Sequence, residues 1–123
     1  MPRILLIDDD TAVRTTVRLL LERAGYQIVE APDGKAAKQL VAGVDLVITD
    51  LLMPDMDGVD VLAMLRKEGH RVPVIAMSGG GKVDSKSYLD VARAMGAFAT
   101  IAKPFELEDL LATVRDALAS RGA

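Results

Sequence analysis

The sequence predicts an α/β domain, in which a five-stranded parallel sheet is doubly wound with helices on both faces, a three-layer sandwich. Short apolar runs alternate along the chain with longer amphipathic stretches, the pattern of repeated strand-helix units. Three of these runs are nearly continuous in Val, Ile and Leu, which suits parallel strands covered on both faces. Half of the 123 residues are hydrophobic, so the chain can bury a substantial core.

The five predicted strands are the five short apolar runs. Right-handed crossovers with short connections place these strands in one sheet, with their carboxyl ends at the same edge. Binding sites in such sheets form outside that edge. The strands are predicted at Arg3–Ile7, Gln27–Glu30, Leu46–Thr49, Val72–Met77 and Phe98–Ala102.

Five helices are predicted between and after these strands. The first and last show the clearest helical spacing, and Gly25 is placed where a left-handed residue ends the first. Asp57 is a candidate cap for the third helix. The first helix is predicted from Val13, Val17, Leu20, Leu21 and Ala24, the last from Leu107, Leu110, Leu111, Val114 and Leu118, and the others at Gly34–Ala42, Val59–Lys67 and Ser85–Met95.

Length and composition exclude several classes of protein. The chain length predicts one domain over residues 1–123, with no output domain. The net charge of −3 gives no basic excess for nucleic acid, and without cysteine there is no disulfide or thiolate site. The first apolar run is too short for a signal peptide or membrane span, so we expect a cytoplasmic protein without membrane contact.

Charged and polar residues follow four of the predicted strands. Asp8 and Asp9 follow the first strand and Asp50 follows the third, while Ser78 and Lys103 follow the last two. Several carboxylates at one edge repel each other unless a cation neutralises them. Mg²⁺ prefers such oxygen ligands, and no histidine lies near these strand ends to favour zinc. The sequence therefore predicts a Mg²⁺ site.

This set of side chains suits phosphoryl transfer to a carboxylate. Asp50 is the candidate nucleophile, Lys103 would offset charge on the transferred group, and Ser78 would donate a hydrogen bond to it. The simpler alternative is that Asp8, Asp9 and Asp10 only cap the first helix. The combination of suitable groups at four strand ends favours a functional site.

The chain resembles the receiver domain of two-component response regulators, of the stand-alone type related to the chemotaxis regulator, over essentially its whole length. The resemblance is carried by Ile7-Asp8-Asp9-Asp10, by the segment from Asp50 to Gly58, by Met77-Ser78-Gly79, and by Lys103-Pro104-Phe105. It implies a flavodoxin-like fold with Asp50 as phosphoacceptor, and Asp8, Asp9, Asp50 and the Leu52 backbone carbonyl as Mg²⁺ ligands. It also implies that Ser78 and Lys103 complete the site, with a cis peptide before Pro104.

Two features depart from the family pattern. The position three residues before the site lysine is commonly aromatic and takes part in switching, but here it is Thr100. Phe98 could substitute in part, or it could be a core or partner-contact residue. The segment Gly79–Gly81 lengthens and loosens the loop after Ser78, and we interpret it as a mobile loop that folds down on phosphorylation.

The leading hypothesis is a phosphorylation-dependent switch of a two-component system or phosphorelay. A sensor histidine kinase or histidine phosphotransfer protein would donate the phosphoryl group to Asp50, and a protein partner would recognise the altered surface. The domain would promote its own phosphorylation and slow dephosphorylation without being an enzyme, as a monomer or weak dimer. Two alternatives are a phosphorylation-independent binding module and a Mg²⁺-dependent phosphohydrolase. The latter needs a general acid where this chain has Leu52.

Overall fold

The structure is a computed structural model that describes residues 1–51, 57–79 and 85–121, with backbone only at residues 79, 85–89 and 121. Strands and helices alternate throughout, as predicted. The strands are β1 (Arg3–Ile7), β2 (Gln27–Ala31), β3 (Leu46–Asp50), β4 (Val74–Gly79) and β5 (Ala99–Lys103). The helices are α1 (Thr11–Arg23), α2 (Gly34–Leu40), α3 (Gly58–Lys67), α4 (Ser85–Ala94) and α5 (Leu107–Arg121).

The strands form one parallel sheet in the order β2-β1-β3-β4-β5. In its register, Ile7 of β1 pairs with Thr49 of β3, so the next residues, Asp8 and Asp50, lie at the same level along the sheet. On the other side of β3, Asp50 pairs with Met77. The order of the strands reverses between β1 and β3, where crevices form in open parallel sheets.

Alternate residues of the sheet face two separate apolar layers. In β4, Val74 and Ala76 belong to the layer under α2, α3 and α4, whereas Ile75 and Met77 belong to the layer under α1 and α5. All four residues are almost fully buried. Both sheet faces are therefore covered, and the prediction of a doubly wound, flavodoxin-like sandwich is confirmed.

The predicted ends of some elements are wrong by one or two residues. β4 begins at Val74, because Pro73 has no backbone N–H to donate to a neighbouring strand, although its carbonyl accepts from Val47. The last strand is shifted forward by one residue and ends at Lys103, and α2 ends at Leu40. No described helix is long and apolar enough to cross a membrane.

Helix caps lie where the sequence predicts them. Asp57 caps α3, since its side chain accepts from the Asp60 backbone N–H at 2.9 Å while the Asp60 carboxylate accepts from the Asp57 backbone N–H at 3.2 Å. Gly25 has a φ of +99°, the left-handed conformation expected after α1. The Asp57 cap fixes where the connection between β3 and α3 ends, and Gly25 lies in the connection between α1 and β2.

Candidate functional site

Asp8 lies directly after β1, and its side chain is fully buried at the carboxyl edge of the sheet. The backbone N–H of Asp8 donates to the Ala31 carbonyl, and one carboxylate oxygen accepts from the Asp10 backbone N–H at 2.9 Å. Burial raises the pKa of Asp8, and the hydrogen bond from Asp10 and the charge of Lys103 only partly offset this effect. The site therefore holds an anion that lacks full solvation.

Lys103 joins the two buried carboxylates. Its Nζ atom lies 3.4 Å from Oδ2 of Asp8 and 3.4 Å from Oδ2 of Asp50. Only 19% of the Lys103 side chain is exposed, so this attraction is less screened than a surface ion pair. The peptide bond between Lys103 and Pro104 is cis, as the resemblance implies. One ammonium group thus lies against two carboxylates at the edge of the sheet.

Asp8, Asp9 and Asp50 form a cluster of possible metal ligands. One carboxylate oxygen from each lies within 4.8 Å of the other two. Asp9 is exposed, whereas the other two are buried, so the cluster opens to solvent on one side. Three carboxylate oxygen donors this close together suit Mg²⁺, which binds a few carboxylates and keeps several waters. The residues present therefore fit this ion.

Helix capping accounts for only one of the three consecutive aspartates. The Asp10 carboxylate accepts from the backbone N–H groups of Ala12 and Val13, at 3.0 and 3.2 Å, and forms the N-cap of α1. Asp8 and Asp9 belong to the acidic cluster instead. Asp10 is thus the cap of α1, and the role of Asp8 and Asp9 as metal ligands stays a prediction.

Ser78 lies near the end of β4, one strand away from Asp50. Its hydroxyl oxygen is buried and has no hydrogen-bond partner in the described part of the chain. A buried hydroxyl without a partner costs free energy, about 1–3 kcal/mol. Ser78 pairs in register with Ala102, directly before Lys103. The structure thus places this hydroxyl near the same edge of the sheet as Lys103.

Gly58 packs directly against the backbone of Asp50 and Leu51, a role that the sequence analysis did not identify. A Cβ atom at this position would lie 2.6 Å from the carbonyl oxygen of Asp50 and 2.8 Å from Cα of Leu51. The Gly58 N–H also donates to the Leu51 carbonyl at 3.1 Å. The sequence signal for this contact is the glycine directly after the Asp57 cap, because glycine is favoured where two backbone segments approach closely.

Comparison with known proteins identifies the family. The family model "Response regulator receiver domain" matches residues 4–115. The chain belongs to the response regulator receiver family. Receiver domains are the phosphorylation-dependent switches of two-component signalling, so the predicted class of function is confirmed.

The relatives include larger regulators and isolated receiver domains. The response regulator MprA of Mycolicibacterium vanbaalenii is 39% identical over 116 residues, covering 92% of this chain and 48% of MprA. The DNA-binding dual master transcriptional regulator RpaA of Synechocystis is 37% identical over 119 residues, covering 94% and 48%. The chain therefore spans about half the length of these two relatives.

Solved structures show the same architecture. A response regulator receiver domain protein from Clostridium thermocellum superposes with a TM-score of 0.91 at 27% identity, covering 99% of this chain and 98% of the other. The chemotaxis protein CheY4 of Vibrio cholerae superposes with a TM-score of 0.81 at 30% identity, covering 95% and 98%. The likeness extends over nearly the whole receiver domain.

Thr100 and Phe98 are both outside the acidic cluster of this receiver domain. Thr100 lies in β5, and its hydroxyl accepts a 3.0 Å hydrogen bond from the Arg93 guanidinium on α4. Phe98 precedes β5 and is 42% exposed, so its interpretation as a core residue is wrong. The backbone N–H of Phe98 donates to the Val74 carbonyl, so its backbone is held directly before β5.

Two predicted features lie outside the described residues. Leu52, the proposed carbonyl ligand, is in the segment 52–56, and the loop around Gly80 and Gly81 is in the segment 80–84. Gly79 is described only as the last backbone position of β4. The roles of Leu52 and of the Gly79–Gly81 loop remain predictions.

Proposed function

We propose that Asp50 accepts a phosphoryl group from a phosphohistidine of a partner protein, with Mg²⁺ held by Asp8, Asp9 and Asp50. The observation that carries this proposal is the position of Lys103, whose ammonium group lies equally close to Asp8 and Asp50. The third ligand, Asp9, is exposed to solvent and leaves the cluster accessible. Leu52 would add a backbone carbonyl.

In the proposed reaction, a carboxylate oxygen of Asp50 attacks the phosphorus atom. A P–O bond forms as the P–N bond breaks, and the electron pair of that bond leaves with the imidazole nitrogen of the donor. The product is an acyl phosphate on Asp50. When bound, Mg²⁺ would supply charge neutralisation for the phosphoryl oxygens.

The chain's own residues would then hold the phosphoryl group. Lys103 can move its ammonium group from the Asp50 carboxylate to a phosphoryl oxygen, since both are within reach of the same side chain. The unpartnered Ser78 hydroxyl can donate to another phosphoryl oxygen. This new hydrogen bond would couple phosphorylation to a movement of β4 and the loop that follows it.

The proposed output is contact with a protein partner. The donor would be a sensor histidine kinase or a histidine phosphotransfer protein in the cytoplasm. Phosphorylation replaces a singly charged carboxylate by a group that carries more negative charge and new acceptor oxygens. Ser78 and Thr100 are the proposed switch residues, while the exposed ring of Phe98 is a candidate contact for the reader protein.

Intact mass measurement after incubation with acetyl phosphate and Mg²⁺ tests the proposal. We expect one phosphoryl adduct on the natural sequence, and none on Asp50→Asn or in the presence of chelator. The matched control is Asp33→Asn, because Asp33 caps α2 and Asn serves equally well as a cap. This variant should be phosphorylated normally.

Four results would contradict the proposal. An adduct that persists on Asp50→Asn would exclude Asp50 as the acceptor, and an adduct that forms fully in chelator would exclude the metal. A folded natural protein that gains no adduct, from acetyl phosphate or from a panel of phosphorylated kinases, would favour the phosphorylation-independent binding module. Repeated turnover of an external phosphoester would instead indicate a phosphohydrolase.

A further inference from the structure

Arg14 lies behind the acidic cluster and contacts the backbone of the site. It is in the first turns of α1, and its guanidinium NH1 donates a 2.6 Å hydrogen bond to the carbonyl oxygen of Asp8. On its other side, Arg14 Nε lies 3.1 Å from Oε1 of Glu30 in β2. Only 15% of the Arg14 side chain is exposed. One guanidinium therefore joins α1, β2 and the end of β1.

The contact with the Asp8 carbonyl controls the peptide group between Asp8 and Asp9. Asp8 follows the last residue of β1, where the pairing with β2 and β3 ends. The Asp8 carbonyl accepts its hydrogen bond from Arg14 instead. The other polar groups of Asp8 are also bonded, its N–H to Ala31 and its carboxylate to the Asp10 N–H and Lys103. Fixing the carbonyl fixes the plane from which the Asp9 side chain projects.

Glu30 makes this arrangement compatible with a bound cation. A guanidinium near a cation site repels the cation, unless a carboxylate neutralises it. Glu30 faces Arg14 and also lies 3.1 Å from Nε of Arg18, so it is held between two guanidinium groups. Arg18 makes its other ion pair with Glu22, at 3.0 Å. Of the two arginines, Arg14 is the one for which a hydrogen bond to the Asp8 carbonyl is found.

We propose that Arg14, aligned by Glu30, is a positioning residue that orients the Asp8–Asp9 peptide so that Asp9 completes the cation site. The inference rests on the proposed Mg²⁺ site and assigns Arg14 no contact with the ion. Partners that orient metal ligands typically contribute tenfold or more to metal affinity. The direction of the change in cation affinity distinguishes this positioning role from a purely electrostatic effect of Arg14. Removing a positive charge should by itself strengthen cation binding.

The test is titration of the metal-free protein with Mn²⁺, a hard cation that suits carboxylate ligands. Electron paramagnetic resonance measures the concentration of free Mn²⁺ at each step of the titration. We expect Arg14→Gln to raise the Mn²⁺ dissociation constant about tenfold. The matched control is Arg18→Gln, which removes the same charge and a contact with Glu30 but leaves the Asp8 carbonyl bonded. This control should change the constant less than about twofold.

Stability measurements complete the test. Both variants lose one contact with Glu30, but Arg14→Gln also leaves the Asp8 carbonyl without its donor, so urea unfolding without cation should show the larger loss for Arg14→Gln. Mn²⁺ affinity is therefore compared under conditions in which urea unfolding shows both variants to be folded. If Arg14→Gln does not fold, Arg14→Met is tested instead, because it keeps the apolar stem of the side chain. An unchanged or lower Mn²⁺ dissociation constant for the Arg14 variants would overturn the inference. Absence of Mn²⁺ binding by the natural sequence would overturn the cation site itself.

Discussion

Lys103 Nζ lies 3.4 Å from Asp50 Oδ2, although the two residues are 53 positions apart in the chain. The contact forms because β4 lies between β3 and β5, and all three strands end at the same edge of the sheet. In the absence of a cation, this ammonium group is the positive charge that Asp8 and Asp50 share.

Replacing Lys103 by Met should have opposite effects on stability and on cation binding. Without cation, the free energy of unfolding should fall by about 2 kcal/mol, because two carboxylates lose a charged partner. Mg²⁺ should bind about fivefold more tightly, since a competing charge is removed. Urea unfolding and calorimetric titration measure the two quantities.

The control for Lys103→Met is Lys38→Met. Lys38 forms an ion pair with Glu68 at 3.6 Å, but its side chain is 57% exposed. Such pairs contribute little, so this variant should stay within about 0.5 kcal/mol of the natural sequence. Weaker Mg²⁺ binding by Lys103→Met would show that the ammonium does not compete with the ion.

The raised pKa of Asp8 predicts a pH dependence of stability. Near pH 3.8, the ordinary value, the unfolded chain ionises while folded Asp8 retains its proton, so the folded state loses stability as the pH rises through this window. Asp8→Asn removes that loss. Without cation, the variant should unfold at a higher temperature than the natural sequence at pH 7, and the difference should vanish below pH 3.8.

Differential scanning calorimetry between pH 3 and pH 7, with and without Mg²⁺, checks this prediction. Addition of Mg²⁺ should stabilise the natural sequence more than Asp8→Asn, because the ion binds a folded site that the variant has weakened. An Asp8→Asn variant that is less stable at pH 7 without cation would show that the contacts of Asp8 outweigh the cost of its burial.

Gly58→Ala should disturb the site through the backbone of Asp50. The added Cβ would overlap backbone atoms that cannot move freely, so we expect a loss of about 1–3 kcal/mol in the free energy of unfolding and slower phosphorylation. Gly25→Ala is the comparison, because Gly25 has a positive φ but no atom within 4 Å of the new Cβ. It should lose about 1 kcal/mol and be phosphorylated at the normal rate. Equal phosphorylation rates would exclude steric control by Gly58.

Phe98 and Ile101 should respond differently to truncation, although both lie at β5. Phe98→Ala should cost less than about 1 kcal/mol, because the ring is 42% exposed. Ile101→Ala removes a side chain from the layer under α1 and α5 and should cost about 2–4 kcal/mol. Urea unfolding of the two variants measures this, and a similar cost for both would show that Phe98 packs on the fold.

The sequence was sufficient to predict the sheet and most of the site, since both depend on local patterns. Apolar runs identify the strands, and the residues directly after them must meet at one edge of a parallel sheet. Side-chain contacts that depend on distant geometry were not predictable in this way. Arg14 and Glu30 are 16 positions apart in separate elements, and neither type of residue is unusual on a helix or strand. The exposure of Phe98 depends on where β5 begins, a boundary that periodicity locates only to within a residue or two.

The separation of the site residues along the chain also affects when the site can form during protein synthesis. Asp8 leaves the ribosome well before Lys103, which lies 95 positions further along the sequence. A nascent chain that ends before β5 carries the three aspartates without their ammonium partner, and it lacks α5, which contributes Leu110 and Val114 to one apolar layer. The site therefore assembles only after β5 has been synthesised.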